Sequence, residues 1–382
     1  MAVKKLNLVY LTPSLYIAGG VERVLTLKAN YFAEHFGYDV TIILTDGRGK
    51  PFFYPLSEKV KTVQLDINFE ELWSLSFLRK IPVYLRKQRQ YRRKVTELLM
   101  QMRPDITISL LRREINFLCD IQDGSKKVGE LHITRGNYRN FSDRDTNWLK
   151  QLFSRYWMHG LVRQLRRLDR FVVLTHEDAR SWSELSNVEV IPDPLSFRPD
   201  SVSALTSKRV IGVGRYSYEK GFDLLLQAWV KVERQCPDWQ LSIYGTGNRE
   251  AYIEQMKQLG IDPSRCRLNA ATDHIDAEYL NSSIMAFSSR FEGFGMALVE
   301  AMACGLAAVS FACPCGPRDI ITDGENGLLV EPENVDQFAD KLLQLMTDES
   351  LRKRLAANAV KRSHDYDMAQ LAIMWKQLFE SL

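Results

Sequence analysis

FEGFGMALVEAMACG, residues 291–305, decides the fold class of this chain. The apolar run IMAF at 284–287 has the composition of a buried strand, and LAAVSF at 306–311 reads as the next one. Between them, residues 296–304 carry few polar side chains and a single β-branched residue, Val299, while Gly305 supplies the left-handed position that ends a helix. The unit is therefore strand, glycine turn, helix, strand. Gly293 and Gly295 let the backbone approach a ligand at the helix start, where free N–H groups and the positive end of the helix dipole receive an anion.

The spacing of Glu292 and Glu300 limits what the two carboxylates can do. On one helix, eight residues would separate them by roughly 12 Å along the axis, far beyond the ~5 Å of a retaining hydrolase pair. They do not act as acid and nucleophile on one bond. With Glu292 in the turn and Glu300 in the helix, they can hold two ends of an extended ligand whose phosphates lie on the turn, and a nucleotide sugar has that shape.

Working outward, the same alternation recurs. LNLVYL, a glycine turn, an amphipathic helix through His35 and DVTIILT form one unit, followed by the strand candidates DITISL, VGELH and FVVLT. In the second half RVIGVG, LSIYG, IMAFSS and AAVSF alternate with helical stretches. Such alternation predicts an α/β fold of parallel sheets with helices on both faces. At 382 residues and 45% hydrophobic content the chain is expected to form two domains. The proline-rich VIPDPLSFRPD at 190–200 reads as the linker, which places the boundary near Asp193.

Residues 291–305 resemble the E-x7-E signature of the family 4 retaining glycosyltransferases, which have the GT-B fold. GGVERV at 19–24, GVGRYSYEKGFDLLLQAW at 212–229, YGTGN at 244–248 and CPCGPRDIITDGENGLLVEP at 313–332 are similar to other family blocks and stand in family order. The resemblance covers the C-terminal half nearly throughout and is thin between residues 46 and 171. It implies two Rossmann-like domains facing a central cleft: an acceptor-binding domain at 1–193, a nucleotide-sugar-binding domain at 194–367, and a C-terminal helix at 368–382 crossing back to the first domain. It also implies transfer of a hexose or N-acetylhexosamine, with retention, from a UDP-sugar to a glycan acceptor. The final blocks look most like those of bacterial enzymes that build lipid-linked, capsular or exopolysaccharide repeat units.

Site residues follow from the same blocks. Negative charge builds on the departing diphosphate, and the resemblance assigns Arg215 and Lys220 to it. Those two residues sit in the loop after RVIGVG, at the C-terminal strand edge where ligands bind in open α/β sheets; the competing reading is a solvated loop pair. The resemblance gives Glu300 the ribose hydroxyls, and Glu292 the transferred sugar, with the amides of Gly293, Phe294 and Gly295 nearby. A carboxylate buried without a partner in the helix would be costly, which favours a functional Glu300. Gly19 and Gly20 precede a helix and can present N–H groups to phosphates. His132, at the end of VGELH, resembles the family histidine near donor sugar and acceptor; a strand-end histidine satisfying local hydrogen bonds is the other reading. His176 reads as structural.

Several chemistries are excluded or set aside. Gly245-Thr-Gly247 lacks the third small residue of a dinucleotide fingerprint, because Glu250 stands there. The triplets Asp143/Asp145 and Asp365/Asp367 match the metal-binding mark of the other main glycosyltransferase fold, but neither follows an apolar strand, so no metal or other cofactor is expected. The six cysteines are scattered, and Cys313-Pro-Cys315 lacks C-x-x-C spacing. They read as reduced thiols of a cytoplasmic protein. No run of 18 apolar residues exists, and the short apolar start reads as a first strand rather than a signal peptide.

Charge is unevenly distributed. Residues 1–193 hold 31 Lys and Arg against 22 Asp and Glu, a net +9, and the remainder holds 20 against 25, a net −5. The first domain is expected to attract anions or an anionic surface. Between residues 78 and 102, Ile81, Leu85, Gln88, Tyr91, Val95, Leu98 and Met102 recur at helical spacing, with Arg86, Lys87, Arg89, Arg93 and Lys94 on the other faces. This is either a core-packed helix with a solvated basic face or a helix lying on a membrane, with Trp73 and Phe77 upstream. A second basic stretch at 155–170, with Tyr156 and Trp157, points to the membrane. The membrane reading implies a polyprenyl-diphosphate-linked acceptor and a peripheral position at the inner face of the plasma membrane. No nucleic-acid signature accompanies the basic residues. The rival functions are a GT-B epimerase or phosphorylase and, from a different class, a nucleic-acid-binding protein.

Overall fold

The computed structural model describes residues 5–140 and 148–382. They divide into two compact units, Met1–Pro194 with Leu371–Leu382 as unit 1 and Leu195–Gln370 as unit 2. Unit 1 contains β1 (Asn7–Thr12), α1 (Gly20–His35), β2 (Asp39–Leu44), β3 (Lys61–Gln64), α2 (Phe77–Met102), β4 (Ile106–Ser109), β5 (Lys126–Leu131), α3 (Trp148–Leu165), β6 (Arg170–Val173), α4 (His176–Ser181) and β7 (Val188–Val190). The seven strands form a parallel sheet in the order β3-β2-β1-β4-β5-β6-β7. Parallel strands covered on both faces need near-continuous apolar runs, and β1 and β2 come near to this, with five of six residues buried in each. On one face Tyr91, Val95 and Leu99 of α2 pack in a cluster with Val9, Leu11 and Ile43. A second cluster joins Leu165, Phe171 and Trp182.

Unit 2 repeats the plan with β8 (Arg209–Val213), α5 (Phe222–Val232), β9 (Gln240–Gly245), α6 (Glu250–Leu259), β10 (Cys266–Ala270), α7 (Ile275–Leu280), β11 (Ile284–Phe287), α8 (Met296–Ala303), β12 (Ala307–Phe311), α9 (Pro317–Ile320), β13 (Leu328–Val330), α10 (Val335–Thr347) and α11 (Glu349–Ser363). Its parallel order is β10-β9-β8-β11-β12-β13. The final helix, α12 (Met368–Glu380), belongs to unit 1 from Leu371 onward. There Phe379 meets Phe32 of α1 edge-on, with ring centroids 5.7 Å apart.

The direction of strand progression reverses once in each sheet, between β1 and β4 and between β8 and β11. Ligands bind beyond the carboxyl ends of the strands at such a reversal. The strands not anticipated from sequence are β3, β7, β10 and β13. β3 and β7 are edge strands of the first sheet, and β10 and β13 of the second, so no flanking pair dictates a long apolar run.

Candidate active site

At the reversal in unit 2, the loops after β8 and β11 meet. Lys220, in the short 3-10 turn Tyr218–Lys220, runs its stem along Gly214, where an added Cβ would stand 3.0 Å from the lysine side chain. Its ammonium lies 2.7 Å from Glu292 Oε1, and Ser289 Oγ donates to the same oxygen at 2.5 Å. Two residues separated by 72 positions, each expected at the donor, are thus in direct contact. Arg215 differs. Its side chain is 71% exposed and reaches Glu219, 2.9 Å away, so it stands at the rim as half of a solvated loop pair. Gly245 closes this region because a Cβ there would fall 1.7 Å from the Gly214 carbonyl oxygen.

The turn between β11 and α8 behaves as its glycines dictate. Gly295 has φ 110° and caps α8 without a side chain, a conformation open to glycine and strained for other residues. Among the described residues, no acceptor takes the N–H groups of Gly293, Phe294 or Gly295, so the turn offers donors to an anion. Phe294 contributes backbone only, since its buried ring packs edge-on against Tyr366 with centroids 5.4 Å apart. At the other end Gly305 donates to Met302 O and Leu306 to Ala301 O, both at 3.0 Å, the paired bonds of a Schellman termination.

Glu300 lies in α8 with only 6% of its surface exposed. It is not unpartnered, contrary to the argument from burial alone: Ser196 Oγ donates to Oε1 and the Tyr279 hydroxyl donates to Oε2 at 3.4 Å. Each carboxyl oxygen has a second lone pair for a further donor, which suits a pair of ligand hydroxyls. Ser196 lies in the segment read as linker.

Arg290 is a site residue that sequence reasoning missed. Its guanidinium grips both oxygens of Asp223, at 2.8 and 2.6 Å, lies 3.0 Å from Glu333, donates to Tyr218 O at 2.8 Å and stacks 4.2 Å above the Tyr218 ring. Its own N–H donates to Glu219 O at 2.8 Å. One side chain fastens the Lys220 loop to the Glu292 turn. The only signal in the sequence is its place two residues before Glu292, and nothing local says what it holds.

In unit 1 His132 follows β5 directly and is buried. Its Nε2 lies 3.2 Å from Glu130 Oε2 and its Nδ1 3.0 Å from Asp193 Oδ1. Burial pushes the imidazolium down, but Asp193 and then Glu130 outweigh it and hold the pKa at about 9. Glu130 is also paired with buried Lys28; burial pushes its carboxyl up, while Lys28 and His132 pull it below its ordinary value. Trp375 of α12 covers Lys28, with the ammonium 4.4 Å from the ring centroid. His132 is therefore a buried cation and has no neutral nitrogen poised to take a proton. Gly19 and Gly20 do open α1, and the Glu22 carboxylate folds back over Gly19, 2.0 Å from where a Cβ would stand. An incoming anion at this end would face that carboxylate.

Asp365 pairs with Arg362 and Asp367 with Arg198 and His364, so both are engaged in ion pairs. Asp143 and Asp145 lie outside the described residues, as do the side chains of Phe77 and Arg155. Lys87 and Lys94 are not on a solvated face; they donate to the carbonyls of Ile67 and Leu65. His176 starts α4, whose cap is Thr175. No disulfide joins the six cysteines, and all but Cys119 are buried. Among the described residues no helix is long and apolar enough to cross a membrane.

Residues 196–362 match the family model described as glycosyl transferases group 1. An uncharacterized glycosyltransferase of Haemophilus influenzae is 28% identical over 366 residues, covering 94% of this chain and 96% of its own. The amylovoran biosynthesis glycosyltransferase AmsD of Erwinia amylovora is 27% identical, covering 97% and 99%. Among solved structures, a TarM mutant from S. aureus in complex with fondaparinux, α-GlcNAc-glycerol and UDP has a TM-score of 0.78 at 15% identity, covering 98% of this chain and 99% of that one. Residues 196–362 thus carry the similarity to the glycosyl transferases group 1, and the chain, similar over nearly its full length to two glycosyltransferases, is a glycosyltransferase with the GT-B fold.

Proposed function

We propose that the chain transfers a hexose or N-acetylhexosamine from a UDP-sugar to a glycan acceptor with retention of anomeric configuration, in the synthesis of a surface polysaccharide or related glycan. The observation that carries this reading is the Lys220–Glu292 pair, 2.7 Å across the β8/β11 reversal, beside the unclaimed N–H groups of Gly293 to Gly295. A diphosphate seated on the turn draws Lys220 to itself and frees Glu292 for a sugar hydroxyl, and Arg215 swings from Glu219 to the outer phosphate. Glu300 accepts from the ribose hydroxyls. The UDP in the TarM complex and the amylovoran biosynthesis named for AmsD support the donor and the product class.

In this reading the leaving phosphate oxygen helps deprotonate the acceptor hydroxyl on the same face, and His132 positions groups rather than moving a proton. Lys220, Arg215 and the turn amides supply the positive field that meets the departing diphosphate, so no divalent metal is required. The acceptor is carried on a polyprenyl diphosphate, reached from the cytoplasm at the inner face of the plasma membrane.

The test is incubation with a panel of nucleotide sugars, with and without EDTA, following UDP release and the anomeric configuration of the product. Release from one UDP-sugar, unaffected by EDTA, is the expected result. Release from none overturns the donor assignment, and activity lost to EDTA and restored by Mn²⁺ or Mg²⁺ overturns metal independence.

A further inference from the structure

We propose that unit 1 docks on an anionic membrane through one face made by the turn Phe69–Ser74 and the first half of α2, with Trp73, Ile81 and Leu85 entering the headgroup boundary and Arg79, Arg86 and Arg89 meeting lipid phosphates. This deepens the reading of a membrane-carried acceptor and rests on it for its purpose, yet it is measurable without any transfer reaction.

The face is defined by what the structure leaves over. Residues 77–96 contain eight Lys and Arg and no Asp or Glu. Four of these cations are engaged: Lys87 on Ile67 O and Glu71, Lys94 on Leu65 O, Arg92 3.4 Å from Asp120, and Arg93 3.8 Å from Glu97. Arg79, Arg86 and Arg89 are exposed and, among the described residues, have no ion-pair or hydrogen-bond partner.

The apolar residues of the same region split in the same way. Tyr91, Val95 and Leu99 are buried in the sheet-covering cluster, whereas Trp73, Ile81 and Leu85 are 72%, 47% and 50% exposed. A single exposed apolar residue is ordinary. Three of them on a strip that carries unpaired arginines, and whose two carboxylates, Glu70 and Glu71, are taken up by Lys50 and Lys87, have the composition of an interfacial helix, with an indole at one end to sit at headgroup level.

Charge complementarity selects the partner. Each Lys or Arg near an anionic leaflet strengthens binding roughly fivefold, so three arginines give about a hundredfold preference for anionic over zwitterionic lipid. Salt within the Debye range should weaken the binding, while the apolar contribution persists.

The experiment is co-sedimentation of the full chain with vesicles of phosphatidylcholine alone or mixed with phosphatidylglycerol, at low and high salt, with UDP stabilisation measured on the same samples. Wild type is expected to pellet with the anionic vesicles only. Arg79→Gln/Arg86→Gln/Arg89→Gln should lose about a hundredfold in affinity, and Trp73→Ser/Ile81→Ser/Leu85→Ser should lose binding that salt does not account for. Neutralising the exposed Arg234, Lys257 and Lys353 of unit 2 to Gln should change nothing. The substituted residues are exposed, and unchanged thermal unfolding verifies that each variant is folded. Wild type remaining in the supernatant at low salt, the arginine variant pelleting like wild type, or binding to RNA without binding to vesicles overturns the docking face. If vesicle binding fails while UDP still stabilises the protein, only this inference falls; if vesicles bind and UDP does not, only the donor reading falls.

Discussion

Glu300 in α8 and Lys220 in the loop after β8 flank the turn that precedes α8, and the structure treats them differently. Glu300 accepts from two hydroxyl donors, Ser196 and Tyr279, whereas Lys220 is half of an ion pair with Glu292. Removing either should weaken UDP, because a charge-assisted hydrogen bond contributes roughly 1.5 to 3 kcal/mol, on the order of 10- to 100-fold in affinity. Their effects on the unliganded protein should separate. Lys220→Gln leaves the mostly buried Glu292 without its cation and is expected to lower the melting temperature as well as UDP affinity, while Glu300→Gln, which retains hydrogen-bonding partners, acts mainly on UDP. Calorimetric titration with UDP beside thermal unfolding checks both. Unchanged UDP affinity in the two variants would sink the assignment.

Among the elements, the site depends on how two loops are fastened together. Arg290 does this with a bidentate grip on Asp223, a contact to Glu333 and a bond to the Tyr218 carbonyl. Asp223 lies in the first turn of α5, so the grip also fixes where the Lys220 loop enters its helix. Arg290→Lys keeps the charge but loses the planar fork. We expect it to cost about 1 to 3 kcal/mol of stability and to raise KM for the donor more than it lowers kcat, because Lys220 is no longer held opposite Glu292. Steady-state kinetics with thermal unfolding separate the possibilities. A lowered melting temperature with an unchanged donor KM would mean that Arg290 is only a structural clasp.

Across the whole molecule, the buried charges of unit 1 sit where the chain leaves and returns. Asp193 immediately precedes Pro194, the last residue before unit 2, and Trp375 belongs to the returning helix α12. His132 touches Asp193 and Glu130, and Glu130 touches Lys28, over which Trp375 lies. The His132 pKa is raised from an ordinary value near 6.5 to about 9, so the imidazolium binds its proton more tightly in the folded state than in the unfolded chain. Its contribution is fully present below about pH 6.5 and is lost as pH rises through 9. Thermal unfolding of wild type should therefore fall between these values, and His132→Gln, less stable at neutral pH, should show a flatter profile over the same window. Parallel profiles for the two proteins would exclude His132 as the titrating group.

The alternation of parallel strands and helices, the glycine turn before Glu300 and the termination at Gly305 were legible from residue order alone, because they follow from local periodicity and from backbone conformations that glycine adopts with least strain. The family resemblance assigned Lys220 from one block, and Glu292 and Glu300 from another, to the donor. Partnership was another matter. Lys220 and Arg215 look alike in sequence, yet one lies against Glu292 and the other stands at the rim with Glu219. Lys87 and Lys94 look like surface cations beside Arg86 and Arg89, yet they reach the carbonyls of Ile67 and Leu65. Arg290 and His132 acquire their meaning from Asp223, Glu333, Glu130 and Asp193, all but Glu130 distant in sequence. Helical and strand periodicity specify which side of an element turns inward, but only the folded chain decides which charge waits there, since an ion pair is selected by distance in space and by the desolvation both partners share.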